Sequence, residues 1–151
     1  MTLKAAGRAT VPVGSTAVRT VIERHQPALA LQGDAQQGAA LFAKECLICH
    51  QLKGQGARVG PDLSGIASRP KGALLVDILN PGKEVSPDFV NYVVITKSGQ
   101  VLTGLLASDT AAAVRLRRAQ GAEETILRSE IEELRPDNRS IMPEGFEEKF
   151  K

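Results

Sequence analysis

At 151 residues the chain fits one domain, or one domain carrying a substantial insertion. Hydrophobic residues make up 42%, enough for a core, although only 3% are aromatic and Trp is absent. The formal net charge of +2, with Lys and Arg interspersed among Asp and Glu, leaves no nucleic-acid footprint, and no apolar run is long enough to span a membrane.

Residues 1–14 mix Gly, Pro and Thr with unperiodic apolar residues and read as a linker or extended arm. They lack the hydrophobic core of a signal peptide. Ser15 or Thr16 can cap a short helix whose apolar positions, Val18, Val21 and Ile22, fall at helical spacing, and Pro27 ends or kinks it. Residues 1–33 thus form an N-terminal arm and short helix. Asp34 is the expected N-cap of a second helix with Gly38, Leu41 and Phe42 on one face. That helix closes on Cys46-Leu47-Ile48-Cys49-His50.

This C-x-x-C-H pattern carries the chemistry. Two thiols three residues apart lie on one side of a helical turn and can add to the two vinyl groups of one haem. The next residue, His50, then falls under the iron with an imidazole nitrogen to donate. A flat cofactor would also add the apolar surface that the few aromatics do not. The plainer readings are a dithiol redox pair and a zinc site. The first should open a helix after a strand, whereas this motif ends a helix. The second needs four ligands, and only His25 remains as a further strong donor. His25 itself lies in a polar Glu-Arg-His-Gln run that reads as exposed. No cysteine is left for a structural disulfide.

Residues 51–70 are Gly-rich and unperiodic, which suits a loop packed closely on a flat ligand. A short helix is expected over Ala73–Leu79 and is stopped by Asn80-Pro81-Gly82. The period then changes. Strands are predicted over Phe89–Thr96, Val101–Leu106, Ala113–Arg117 and Thr125–Arg128, with turns at Lys97–Gln100, Ser108–Thr110 and Gln120-Gly121. Ser129–Leu134 could be a fifth strand or a helical turn. The strand lengths resemble a small Sm-like or SH3-like barrel. Glu123, Glu124, Glu130, Glu132 and Glu133 read as a solvated face of this sheet. Pro136–Arg139 is expected to open a loop presenting Met142, a candidate thioether ligand. Glu144–Lys151 could start a helix.

Gly38, Phe42, the Cys46–His50 motif, the run Gly60-Pro61-Asp62-Leu63-Ser64-Gly65 through Arg69, and Met142-Pro143 together resemble a class I cytochrome c. More narrowly, residues 18–147 resemble the Pirellula/Verrucomicrobium-type haem-binding domain. The matching stretches there are Arg19–Glu23, Leu31–Asp34, Ile78–Val85, Gly99–Leu106 and Ser140–Gly145. The resemblance implies haem c attached through Cys46 and Cys49, with His50 as proximal and Met142 as distal ligand. It further implies that the Pro61 carbonyl accepts a hydrogen bond from the other nitrogen of His50, that Leu63 lines the haem, and that Arg69 and Arg58 reach its propionates. Cytochromes c usually finish with a helix packed on the face that here bears Gly38 and Phe42. With Lys151 the last residue, that cover would fall to a short terminal helix, to residues 16–30, or to chain beyond it.

The expected fold is α+β: a mainly α cytochrome c-like haem domain over residues 34–151, interrupted at 86–134 by a small antiparallel sheet or barrel. The expected function is that of a one-haem electron carrier rather than an enzyme, within a larger exported, periplasmic redox protein. Its partner would be a redox protein or an attached dehydrogenase domain. The alternatives are a haem-based gas or redox sensor with a displaceable Met142, and a peroxidase-like enzyme, for which no distal His/Arg pair is evident.

Overall fold

A computed structural model describes residues 16–149, apart from the side chain of Asn138. The arm at 1–14, and Ser15 as an alternative cap, lie outside the described residues. Helix α1 spans Thr16–His25, and Pro27 turns the chain into a 3-10 segment, Gln26–Ala30. Val18, Val21 and Ile22 are half-buried, and α1 packs on helix α3, Lys71–Leu79. Helix α2 spans Ala35–Glu45. The Asp34 carboxylate accepts the N–H groups of Gln36 and Gln37 at 2.8 and 3.0 Å, satisfying two of the donors a helix start leaves open. No residue of α2 is fully buried, and an added Cβ at Gly38 would meet nothing within 4 Å. Gly38 itself is thus open, whereas Phe42 on the same face is half-buried.

Between α2 and α3 lies a small hairpin, β1 (Gln51–Leu52) paired with β2 (Gln55–Gly56). Lys53 and Gly54 make its turn with φ of 50° and 80°, the left-handed pair that tight hairpins favour. The Gly-rich stretch is thus not wholly irregular as its composition suggested. Helix α3 starts two residues before the expected Ala73 and stops at Asn80, as anticipated.

The rest is a five-stranded antiparallel sheet of β3 (Val90–Thr96), β4 (Val101–Asp109), β5 (Ala113–Arg117), β6 (Glu123–Leu127) and β7 (Ile131–Ser140), in the order β6-β5-β4-β3-β7. Val94, Leu102, Val114, Leu116 and Ile126 form its core, with Tyr92, Leu106, Ile131 and Leu134 packed against them. Asn91 and Val93 alternate with these along β3 and are also buried, so the strand is covered on both faces.

The α+β architecture is as expected, with the strands outweighing the three α-helices among the described residues and the β-branched run from Val90 onward building a buried core cluster. Two expectations are corrected. The sheet is open and not a closed barrel, because no ladder joins its edges β6 and β7 among the described residues. Finally, Pro136–Arg139 belongs to β7 rather than to a loop. An edge strand tolerates Pro136 because the ladder needs no N–H from its outer side. Tyr92 faces Pro136, and a register shift between Val90/Asn91 and Ser140/Asp137 takes up the next residues. That irregularity is bridged by the Arg139 guanidinium on the Asp137 carboxylate at 2.8 Å.

Candidate functional site

Cys46 caps α2, its N–H donating to the Phe42 carbonyl at 2.9 Å. The N–H groups of Cys49 and His50 both donate to the Cys46 carbonyl, at 3.0 and 2.8 Å, so the motif is one closed turn. Both thiols are free and half-buried. Burial pushes both above the usual cysteine range, and at Cys46 the neighbouring Glu45 carboxylate and Cys49 add to the effect.

The hairpin then folds the chain back under this turn. Ala57 N–H donates to the Leu47 carbonyl at 2.9 Å, and the N–H groups of Val59 and Gly60 converge on the Cys49 carbonyl at 2.9 and 2.7 Å. Leu63 N–H reaches the Gln51 carbonyl at 2.8 Å, and Gln51 bridges Asp62 in parallel. Val59 is completely buried, a burial worth about 1.5–3 kcal/mol. These bonds set Pro61 beside the histidine: His50 Nδ1 lies 2.8 Å from the Pro61 carbonyl oxygen. A carbonyl can only accept, so Nδ1 carries the proton and Nε2 keeps its lone pair.

The glycines serve this histidine directly. A Cβ at Gly60 would come within 2.6 Å of His50 Cε1, and one at Gly56 within 2.1 Å of the His50 carbonyl oxygen. The close approach that Gly60 and Gly56 permit is to the histidine of the motif. Asp62 stabilises the same loop by accepting from the Ser64 hydroxyl at 2.6 Å and the Ser64 N–H at 2.8 Å, which hold its carboxyl below the usual range.

The other candidates are more dispersed. Leu63 is half-buried at the end of this loop. Arg58 is exposed and donates from Nε to Gln51 Oε1 at 2.9 Å. Arg69 is bonded through two guanidinium N–H groups to Asp77 on α3, and this partner raises its pKa. Met142 is half-buried just past the end of β7, its N–H donating to Ser140 Oγ at 3.1 Å. Beyond it no α-helix forms among the described residues. A 3-10 turn, Phe146–Glu148, buries Phe146 and packs on α3, while Lys149 Nζ reaches Glu45 Oε2 at 3.1 Å. His25 is half-buried rather than exposed, because its Nδ1 turns back onto the Val21 carbonyl at 2.8 Å within α1.

Two contributors were not identified from sequence. Gln120 N–H donates to the Ile48 carbonyl at 2.7 Å, and Arg117 Nη1 to the Arg58 carbonyl at 3.3 Å. Gln120-Gly121 is recognisable as a turn, but nothing local tells where that turn docks. Glu123, read as merely solvated, holds Arg117 Nε at 2.9 Å.

The donor set fits a covalently attached haem: two free thiols on one turn and a histidine whose outer nitrogen has an available lone pair. Among the described residues no cluster of three or more His, Cys, Asp or Glu could hold a metal ion, so the zinc alternative has no site there.

Comparison with known proteins points to one family. The sequence profile of the Cytochrome c family matches residues 35–115, more than half of the chain. A cytochrome c of Arabidopsis thaliana is 47% identical over 47 residues, covering 30% of this chain and 42% of the relative. A cytochrome c of Cochliobolus lunatus is 48% identical over 44 residues, 28% of this chain and 41% of the relative. A cytochrome c-553-like protein of Synechocystis sp. is 44% identical over 41 residues, 27% and 38% respectively. The chain thus spans about two-fifths of the length of these relatives.

Proposed function

Because the chain belongs to the cytochrome c family, with Cys46 and Cys49 at the positions that hold its covalent haem c, we propose that it is a one-haem electron-transfer domain in which His50 and Met142 would hold the iron. The observation that carries this reading is the 2.8 Å bond from His50 Nδ1 to the Pro61 carbonyl, beside two free thiols on the same turn. When bound, the haem supplies a one-electron iron couple.

The chain's own residues do the rest. Pro61 fixes the tautomer and orientation of His50 and makes its outer nitrogen a better donor. Gly60 keeps the ring from meeting a side chain on that flank. Met142 is anchored before and after: upstream by β7, downstream by buried Phe146 and the Lys149–Glu45 pair. With a thioether from Met142 and an imidazole from His50 to hold its iron, the haem would have a raised reduction potential, which suits electron transfer over substrate chemistry. Leu63 would line the haem, and Arg58 is the freer candidate for a propionate, since Arg69 would have to leave Asp77 to reach one.

The narrower resemblance supports placement in an exported, periplasmic protein of several domains, with a dehydrogenase domain or a separate redox protein as partner. Covalent haem attachment is normally completed outside the cytoplasm, so covalent incorporation only after export is the expected result; full attachment in the cytoplasm would argue against that placement.

The deciding experiment is an optical spectrum of the haem-matured protein, oxidised and reduced, with and without CO. A far-red sulfur-to-iron band in the oxidised form, lost in Met142→Ala, and no CO binding by the reduced wild type are expected. A high-spin spectrum or ready CO binding would overturn His/Met ligation.

A further inference from the structure

The ring of His50 lies between two backbone segments, its own turn and Gly60-Pro61, and the sheet grips the neighbourhood of both. Gln120, at the β5–β6 turn with φ 63°, gives its N–H to the carbonyl of Ile48, inside the cysteine motif, at 2.7 Å. Arg117, at the end of β5, gives Nη1 to the carbonyl of Arg58 at 3.3 Å, two residues before Gly60. The same guanidinium is oriented by Glu123 on β6, with Nε at 2.9 Å and Nη2 at 2.8 Å from one carboxylate oxygen. A Cβ added at Gly121, in the same turn, would meet Ala57 Cβ at 3.9 Å.

We propose that the β5–β6 turn is a clamp for the proximal histidine and that Arg117 is its positioning residue, holding the Arg58–Pro61 segment in register with the Cys46–His50 turn. This rests on His50 being the iron ligand. The physical reason is the sensitivity of a hydrogen bond to distance. The 2.8 Å bond from His50 to Pro61 survives only while the two segments keep their separation. The donor strength of Nε2 follows the bond at Nδ1, so the clamp sets the potential from outside the crevice. The inserted sheet then has a task in the redox site beyond adding bulk.

The test uses the full haem-loaded chain and compares Arg117→Met with Arg115→Met. Arg115 lies on the same strand and also pairs with Glu123, at 3.4 Å, with no bond to the proximal loop among those described. Arg117→Met is expected to shift the one-electron equilibrium by up to about tenfold, 59 mV for one electron. It should also displace the NMR signals of the His50 ring protons. Arg115→Met removes the same charge and is expected to leave the ring signals at their wild-type positions. Equal potential shifts in the two variants, or unmoved ring signals in Arg117→Met, would overturn the clamp. If Arg117→Met does not fold, Arg117→Gln replaces it under the same criteria, since the shorter neutral amide lacks the guanidinium fork that spans Glu123 and the Arg58 carbonyl. Wild-type protein without covalent haem sinks the functional reading and the clamp together; normal haem loading with an unmoved variant sinks the clamp alone.

Discussion

His50 Nδ1 and the Pro61 carbonyl oxygen are 2.8 Å apart although the two residues lie eleven positions apart along the chain. The hairpin β1–β2 and the paired N–H groups on the Cys49 carbonyl bring them together. The ring's own hydrogen bond is to a backbone carbonyl, so substitutions that move backbone should be felt at the histidine.

Gly60→Ala tests this directly. The new Cβ would lie 2.6 Å from the ring, and relief requires rotating His50 off Pro61 or shifting the loop. Overpacking of this kind costs about 1–3 kcal/mol. Denaturant unfolding of the haem-loaded protein should show that loss, with an altered Soret band. Gly65→Ala, where an added Cβ meets nothing within 4 Å, should stay within about 0.5 kcal/mol of wild type.

Gly56→Ala should be worse tolerated than Gly60→Ala. Its φ of 96° disfavours any side chain, and the added Cβ would sit against the His50 carbonyl oxygen. The expected outcome is loss of haem-loaded protein on expression, measured as the ratio of Soret to protein absorbance. A normal ratio would show that the hairpin can be rebuilt around a side chain.

Leu116→Ala reports on cooperativity. Leu116 is fully buried in the sheet core, so its truncation should cost about 2–5 kcal/mol. Because Arg117 and Gln120 bond the sheet to the haem-attachment loop, the far-UV and Soret transitions should shift together. Separate transitions would mean that sheet and crevice unfold independently.

The acid limb of stability should include Asp34 and Asp62. Both carboxyls are held below the ordinary value of 3.8: Asp34 by the N–H groups of Gln37 and Gln36, Asp62 by the Ser64 hydroxyl and N–H. A lowered folded pKa means the contribution is complete above 3.8 and is lost as pH falls below it. Asp34→Asn keeps a capping oxygen but cannot titrate. Its Tm should lie slightly below wild type at neutral pH, and the gap should close as pH drops through the region below 3.8. A gap that widens on acidification would contradict the sign of the shift.

The outcomes of the sequence reading follow the range of the interactions. Asp34, Pro27 and Asn80 act within a few residues, so helix starts and stops were legible from residue chemistry. The strand Ala113–Arg117 was legible from alternation and β-branching. The Pro61 bond was implied by family resemblance rather than by any local signal, and the geometry agrees with it. Pro136–Arg139 was misjudged because Pro breaks a central strand but is harmless on an edge, and edge position is a property of the whole sheet. Arg69 reads as a free cation until the fold sets Asp77 beside it.

The sequence by itself determined the chemistry of the motif: Cys46, Cys49 and His50 are joined by one turn, and short spacing fixes which atoms share a side. Only the tertiary structure decided what surrounds them. Whether five strands close or stay open, and that Arg117 and Gln120 bond to carbonyls 59 residues or more away in the chain, depend on contacts summed over the whole fold. A backbone carbonyl looks the same at every position, so no residue pattern names the one a distant donor will reach.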